Sequence, residues 1–249
     1  MSGHSKWAQI KRQKAVTDAK KGQMFTKLGR EIMIAAREGG GDPDANFRLR
    51  LAIQRAREGN MPMENIERAI KRGSGAIEGA ALEEIVYEGY GPNGAAIMVE
   101  ALTDNRNRAV SEVRNAFTRG GGSLGESGCV GWLFEPRAII SINPAGKDPD
   151  ELALLAIDAG AEDVKTDESS IEVYTSPEEL ESVRQALEQH KLHIDSAETS
   201  MLPKSTVQLE EKEAVQVLKL MDRLEELDDV QHVYTNVDFP EDLLQKYAG

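Results

Sequence analysis

Residues 138–201 read AIISINPAGKDPDELALLAIDAGAEDVKTDESSIEVYTSPEELESVRQALEQHKLHIDSAETSM, and their periodicity decides the fold class. Residues 138–142 alternate as a strand. Asp148 then caps a helix over 149–159 that Gly160 stops. Residues 163–166 and 171–175 read as two short strands, Ser176 starts a helix over 177–189, and 192–201 reads as a final strand. The order β-α-β-β-α-β is that of the ferredoxin-like unit.

On either side of this stretch are strands that need partners. Upstream, 84–90 and 95–102 read as strands joined by a Gly91-Pro92-Asn93-Gly94 loop. Asp104 is expected to cap a helix with Val110, Val113 and Phe117 inside and Gly120 at its end, followed by a strand over 130–134. Downstream, 206–209 and 230–236 read as strands around a helix over 211–227. The economical solution is one discontinuous α+β domain, 79–134 plus 204–240, interrupted by the ferredoxin-like insert at 135–203.

Further upstream the period is helical. Phe25, Leu28, Ile32 and Ala35 recur from Met24 to the Gly39-Gly40-Gly41 stop. Asp42 and Pro43 read as the start of a second helix to Glu58, with Leu49, Ile53 and Ala56 on one side and Phe47 and Leu51 on another. A third begins at Pro62 and ends at Gly73-Ser74-Gly75. This is a helical bundle over 23–78. Its turn at 57–62 is an ordinary αα corner rather than a DNA-reading helix-turn-helix. The expected fold class is therefore multidomain α and α+β.

Charge divides along the same line. The 249 residues carry a net charge of −13, yet up to Gly75 there are 16 Lys+Arg against 8 Asp+Glu, and beyond it 14 against 35. A local basic block can hold a polyanion that the whole chain repels. Residues 1–22 form a basic arm with only Trp7, Ile10 and Val16 as sizeable apolar groups. That is too little burial to offset ordering, so the arm is expected to be partly mobile and to order on a partner. Lys6, Lys11, Arg12, Lys14, Lys20, Lys21 and Lys27 are candidate phosphate contacts, with Trp7 available to stack on a base. Arg68, Lys71 and Arg72 line the outer face of the third helix. Arg106 and Arg108, at a strand-to-helix junction, suit either a second phosphate contact or capping and surface salt bridges.

Catalytic signals are weak. His4, His190, His193 and His232 are scattered, and Cys129 has no nearby histidine in sequence. Neither a metal site nor a catalytic group is expected, and no cofactor or small-molecule substrate either. The glycines of 73–79 have the wrong spacing and context for a dinucleotide loop. Those of 120–131 fit a helix cap and loop better than an anion nest. The acidic pairs Glu225-Glu226 and Asp228-Asp229 read as solvated faces. A single cysteine excludes an internal disulfide, and without an apolar leader or a run of about 18 apolar residues the expectation is a cytoplasmic protein with no membrane partner.

Several motifs in order resemble the YebC family: Gly3-His4-Ser5-Lys6-Trp7, Lys20-Lys21-Gly22 with Phe25-Thr26-Lys27-Leu28, Gly39-Gly40-Gly41-Asp42-Pro43, and Glu67-Arg68-Ala69-Ile70-Lys71-Arg72-Gly73. So do Tyr87-Glu88-Gly89-Tyr90-Gly91-Pro92, Thr103-Asp104-Asn105-Arg106-Asn107-Arg108 and Asp195-Ser196-Ala197-Glu198. The chain departs at Phe47, where proline is usual, and at Cys129, where serine is common. The resemblance implies three domains, with the ferredoxin-like one inserted in the second, and no enzymatic activity. It implies a cytoplasmic DNA-binding transcriptional regulator or, as the alternative, a ribosome-associated translation factor that binds ribosomal RNA. The acidic remainder disfavours a long duplex laid across it, which on charge alone favours a local RNA contact.

Overall fold

The computed structural model describes residues 18–77, 82–144, 146–166, 171–190 and 192–248. They hold eight α-helices and two four-stranded sheets. Two compact units result. One is Phe134–Leu202, and the other is made of the described residues before and after it.

The larger unit begins with α1 (Asp18–Gly39), α2 (Phe47–Glu58) and α3 (Met63–Gly73). Helix α1 starts earlier than Met24, inside the expected basic arm. Ala19, Lys20, Lys21 and Gln23 are good helix formers, and only Gly22 opposes them. Helix α2 starts later than Pro43, because Asn46 caps it rather than Asp42. The buried Asn46 side chain accepts from Leu49 N at 3.0 Å and donates to Ala35 O and Gly40 O, both at 2.8 Å. It thereby ties the end of α1 to the start of α2, while Asp42 Oδ1 accepts from Asp44 N in a local turn. The core of the three helices includes Ile32, Leu49, Ile53, Ala56 and Ile66. Phe47 and Leu51 are only partly buried, so α2 has one fully buried side rather than two. A Cβ on Gly73 would overlap Met33 O and Ala36 Cβ, so glycine lets α3 lie against α1.

Next come β1 (Glu83–Tyr90), β2 (Ala96–Thr103), α4 (Arg106–Arg119) and the short β3 (Ser123–Leu124). After the other unit come α7 (Glu211–Glu225), β8 (Val230–Thr235) and α8 (Glu241–Ala248). The sheet order is β3-β1-β2-β8. Antiparallel β1 and β2 pair Tyr87 with Val99, and their loop places Asn93 at φ 58. Phe117 and Val113 of α4 and Leu220, Met221 and Leu224 of α7 share one core with Ile97, Val99 and Val233. Four local expectations change. Asn105, not Asp104, caps α4, accepting from Arg108 N at 3.0 Å. Residues Gly131–Leu133 form a 3-10 turn instead of a strand. The strand expected at 206–209 is reduced to a single bridge between Val207 and Val237. The terminal α8 was not expected, and its Leu243 and Leu244 complete the core.

The smaller unit runs β4 (Phe134–Asn143), α5 (Pro149–Asp158), β5 (Asp163–Thr166), β6 (Ile171–Thr175), α6 (Leu180–Gln189) and β7 (His193–Pro203). Asp148 caps α5 as expected, accepting from Asp150 N at 3.0 Å. The sheet order is β5-β6-β4-β7, with β6 antiparallel to both β4 and β5. Ile140, Ile142, Leu152, Val173, Leu180 and Leu187 are buried. Where the chain returns, Lys204 N donates to Leu133 O at 2.8 Å.

Candidate nucleic-acid interface

The first candidate surface is the outer face of α3. Ile66 and Ala69 are buried, which turns Arg68, Lys71 and Arg72 outward, and all three are exposed. Arg68 Nη2 donates to Asn65 Oδ1 at 2.6 Å. The side chains of Lys71 and Arg72 have no hydrogen bond or ion pair among the described residues. Three cations at i, i+3 and i+4 share one helical face, where they repel one another unless an anion lies across them.

The other expected contacts are placed differently. Lys6, Trp7, Lys11, Arg12 and Lys14 lie outside the described residues. Lys20 and Lys21 fall in the first turn of α1, and their side chains lie outside the described residues too. Lys27 is engaged within the chain, its Nζ donating to Glu225 O. Gln23 donates to Glu226 O and to Asp228 Oδ1, and Arg30 donates to Asp228 O. This edge of α1 is thus a seam against the corner between α7 and β8.

At the centre of that seam is Asp229, whose side chain is 2% exposed and paired with Arg30 at 2.7 Å and Arg108 at 2.8 Å. Thr103 Oγ1 also donates to it, at 2.8 Å. Burial works against the charged carboxylate. The hydrogen bonds from Arg108 and Thr103 and the charge of Arg30 outweigh it, and the carboxyl lies below its ordinary range. Asp229 is therefore not part of a solvated face. Sequence signals for it were poor, because Arg30 and Arg108 are remote from it along the chain. Of the junction pair, Arg108 is held by Asp229 and Asp104. Arg106 is exposed and has no hydrogen bond or ion pair among the described residues.

A second feature missed in the sequence is a buried carboxylate in the glycine-rich loop. Glu88 is 7% exposed and accepts from the backbone N–H of Gly128 at 2.7 Å, of Val130 at 2.8 Å and of Gly131. Burial opposes its charge, but the three N–H donors prevail and its carboxyl too is held low. These bonds turn the backbone at 128–131, which is why no strand forms there. They also present Trp132, 67% exposed, beside the exposed Tyr90. Trp132 Nε1 and Tyr90 Oη both donate to Cys129 O, at 3.2 and 3.0 Å. Lys204 Nζ donates to Trp132 O at 3.1 Å. Burial, with the Glu88 charge adding to it, pushes the Cys129 thiol up, away from nucleophile chemistry.

Among the described residues no group of three or more His, Cys, Asp or Glu side chains could hold a metal ion, and no helix is long and apolar enough to cross a membrane. Together these features define a class: a multidomain α and α+β protein whose open chemistry is cationic and aromatic. The chain belongs to the TACO1/YebC family. The family's N-terminal domain matches residues 5–76, and its second and third domains match residues 82–237. A relative from Dehalococcoides mccartyi strain CBDB1, named a probable transcriptional regulatory protein, is 58% identical over 99% of this chain and 98% of its own. One of the same name from Dictyoglomus thermophilum is 54% identical over the whole of both chains. The crystal structure of a conserved hypothetical protein from Aquifex aeolicus, 51% identical, superposes with a TM-score of 0.81, covering 90% of this chain and 92% of that one.

Proposed function

We propose that this protein is a non-enzymatic regulator of gene expression that acts in the cytoplasm by binding nucleic acid, and that the helical N-terminal region makes the first contact. The observation that carries the proposal is the exposed cationic face of α3, Arg68, Lys71 and Arg72, which has no ion pair among the described residues and lies within the positively charged part of an otherwise acidic chain. The basic arm, with Lys6, Lys11, Arg12, Lys14, Lys20 and Lys21, supplies further cations in the sequence, and Trp7 adds a stacking group. The relatives' names support a role in transcription, and for that role we take duplex DNA as the target.

A second target, structured RNA on the ribosome, has its own support. Trp132 and Tyr90 expose aromatic faces, and unpaired bases stack on such faces whereas duplex bases are occupied by their own stack. The smaller unit reads as a ferredoxin-like domain inserted at 135–203 into an α+β domain of residues 79–134 plus 204–240. The β5-β6-β4-β7 strand order supports that assignment.

Crosslinking in cells followed by sequencing of the bound nucleic acid decides between the targets. Enrichment of promoter DNA is expected for a transcriptional regulator. Recovery of ribosomal RNA without promoters would replace it with the translational role. Recovery of neither would sink the proposal.

A further inference from the structure

The acidic body contains a cluster of cations that the charge split does not predict. Where the end of α4 meets α7, a cavity of about 340 Å³ is lined by Arg119, Gln216, Lys219 and Arg223 above the backbone of Gly120 and Gly121. The four side chains are exposed, and no carboxylate lines the cavity. Arg119, Lys219 and Arg223 make no hydrogen bond or ion pair among the described residues. Three unpaired cations around one cavity stand out in a segment with 14 Lys+Arg and 35 Asp+Glu.

Local helix physics accounts for only part of this. Arg119 and Arg223 lie in the last turns of α4 and α7, where a cation complements the helix dipole. Lys219 is a turn further back and forms an i, i+4 like-charge pair with Arg223, which is unfavourable by a few tenths of a kcal/mol without an anion. Nor do the cations cap carbonyls that lack a donor. Gly120 N already donates to Ala116 O and Phe117 O, Gly121 N to Thr118 O, and Gly122 N to Phe117 O. The glycines shape the floor of the cavity. A Cβ on Gly120 would be 2.5 Å from Leu220 Cδ1, so glycine lets the end of α4 lie close to α7. Gly121, at φ +78, leaves the floor free of side chain.

Two guanidinium forks, an ammonium and an amide converging on one space match the oxygens of a phosphate group. We propose that this cavity holds a backbone phosphate of the bound nucleic acid, a second point of contact on the body remote from the α3 face in sequence. It rests on the nucleic-acid function proposed above.

The test uses the full chain with Arg119→Ala, Lys219→Ala and Arg223→Ala combined. The control, Arg114→Ala, Lys147→Ala and Lys212→Ala combined, makes the same change in net charge on exposed residues outside the cavity. Binding of polyuridylate, mixed-sequence duplex DNA and inorganic pyrophosphate is measured across a salt series. The cavity variant is expected to keep its melting temperature and to bind at least one polymer with a log K versus log salt slope shallower by about 0.7–0.9, the share of one phosphate. The control should change less. Wild-type slopes in the variant, with the wild type binding, would overturn this inference and leave the function standing. Loss of pyrophosphate binding alone would assign the cavity to a free phosphate compound and overturn the backbone assignment. A wild type that binds neither polymer would refute the function itself, and the backbone contact with it.

Discussion

Arg30 and Arg72 belong to the same basic segment, yet the structure uses them in opposite ways. Arg30 is a staple, its guanidinium on the buried Asp229 together with Arg108. Arg72 stands exposed on α3 beside Lys71, with no side-chain partner among the described residues. A composition count gives both the same +1. The difference shows that a binding surface is made of the cations left over after folding, not of all the cations in a positive stretch. The same accounting runs in reverse in the acidic body, where Arg119, Lys219 and Arg223 are left over despite a strongly negative surround.

The largest effect is expected from breaking the staple. Asp229→Ala removes the counter-charge that Arg30 and Arg108 share, leaving Arg108 with Asp104 alone, and should destabilise the fold by about 3 kcal/mol in urea unfolding. A loss under about 1 kcal/mol would mean the seam is no more than a surface ion pair. The close contact between α1 and α3 is next: Gly73→Ala must move α3 off α1 and is expected to cost about 2 kcal/mol.

Acid titration then sharpens the contrast. Because the Asp229 carboxyl is held below its ordinary range, its contribution is full above about pH 4 and is lost as pH falls further towards the folded-state value. Asp229→Asn should therefore unfold with a weaker acid dependence than the wild type below about pH 4. An identical acid limb in both proteins would assign the dependence to other carboxylates, such as Glu88. The smallest effect on stability belongs to the free cations. Arg68→Ala, Lys71→Ala and Arg72→Ala combined should leave stability within about 0.5 kcal/mol. The same variant should flatten the salt slope of nucleic-acid binding by up to about 3. A large stability loss with no change in slope would make the α3 face structural.

Much of the architecture was legible along the chain. The strands at 84–90, 138–142 and 171–175 and the helices ending at Gly39, Gly120 and Gly160 follow from period and punctuation, both local signals. Boundaries failed where a competing cap prevailed. Asn46 displaced Asp42 because it reaches both Ala35 O and Gly40 O, and these bonds depend on α1 being in place. The turn at 131–133 replaced a strand because Glu88, more than forty residues earlier, takes the N–H groups of Val130 and Gly131. Of the candidate contacts, Arg68, Lys71 and Arg72 could be read from helical phase alone. Lys27 and Arg108 could not be sorted from them, since their partners Glu225 and Asp229 lie far away in sequence.

The amino-acid sequence by itself determined most of the element order, the family and the placing of net positive charge before Gly75, because these depend on neighbours within a few residues. Only the tertiary structure decided which charges are open to a ligand. That choice is made by pairing between distant segments: a carboxylate buried at 229 engages two arginines, and the meeting of α4 with α7 brings Arg119 to Lys219 and Arg223. Coulomb attraction in a poorly solvated site is strong and specific, but it acts through space, and distance along the chain does not encode it.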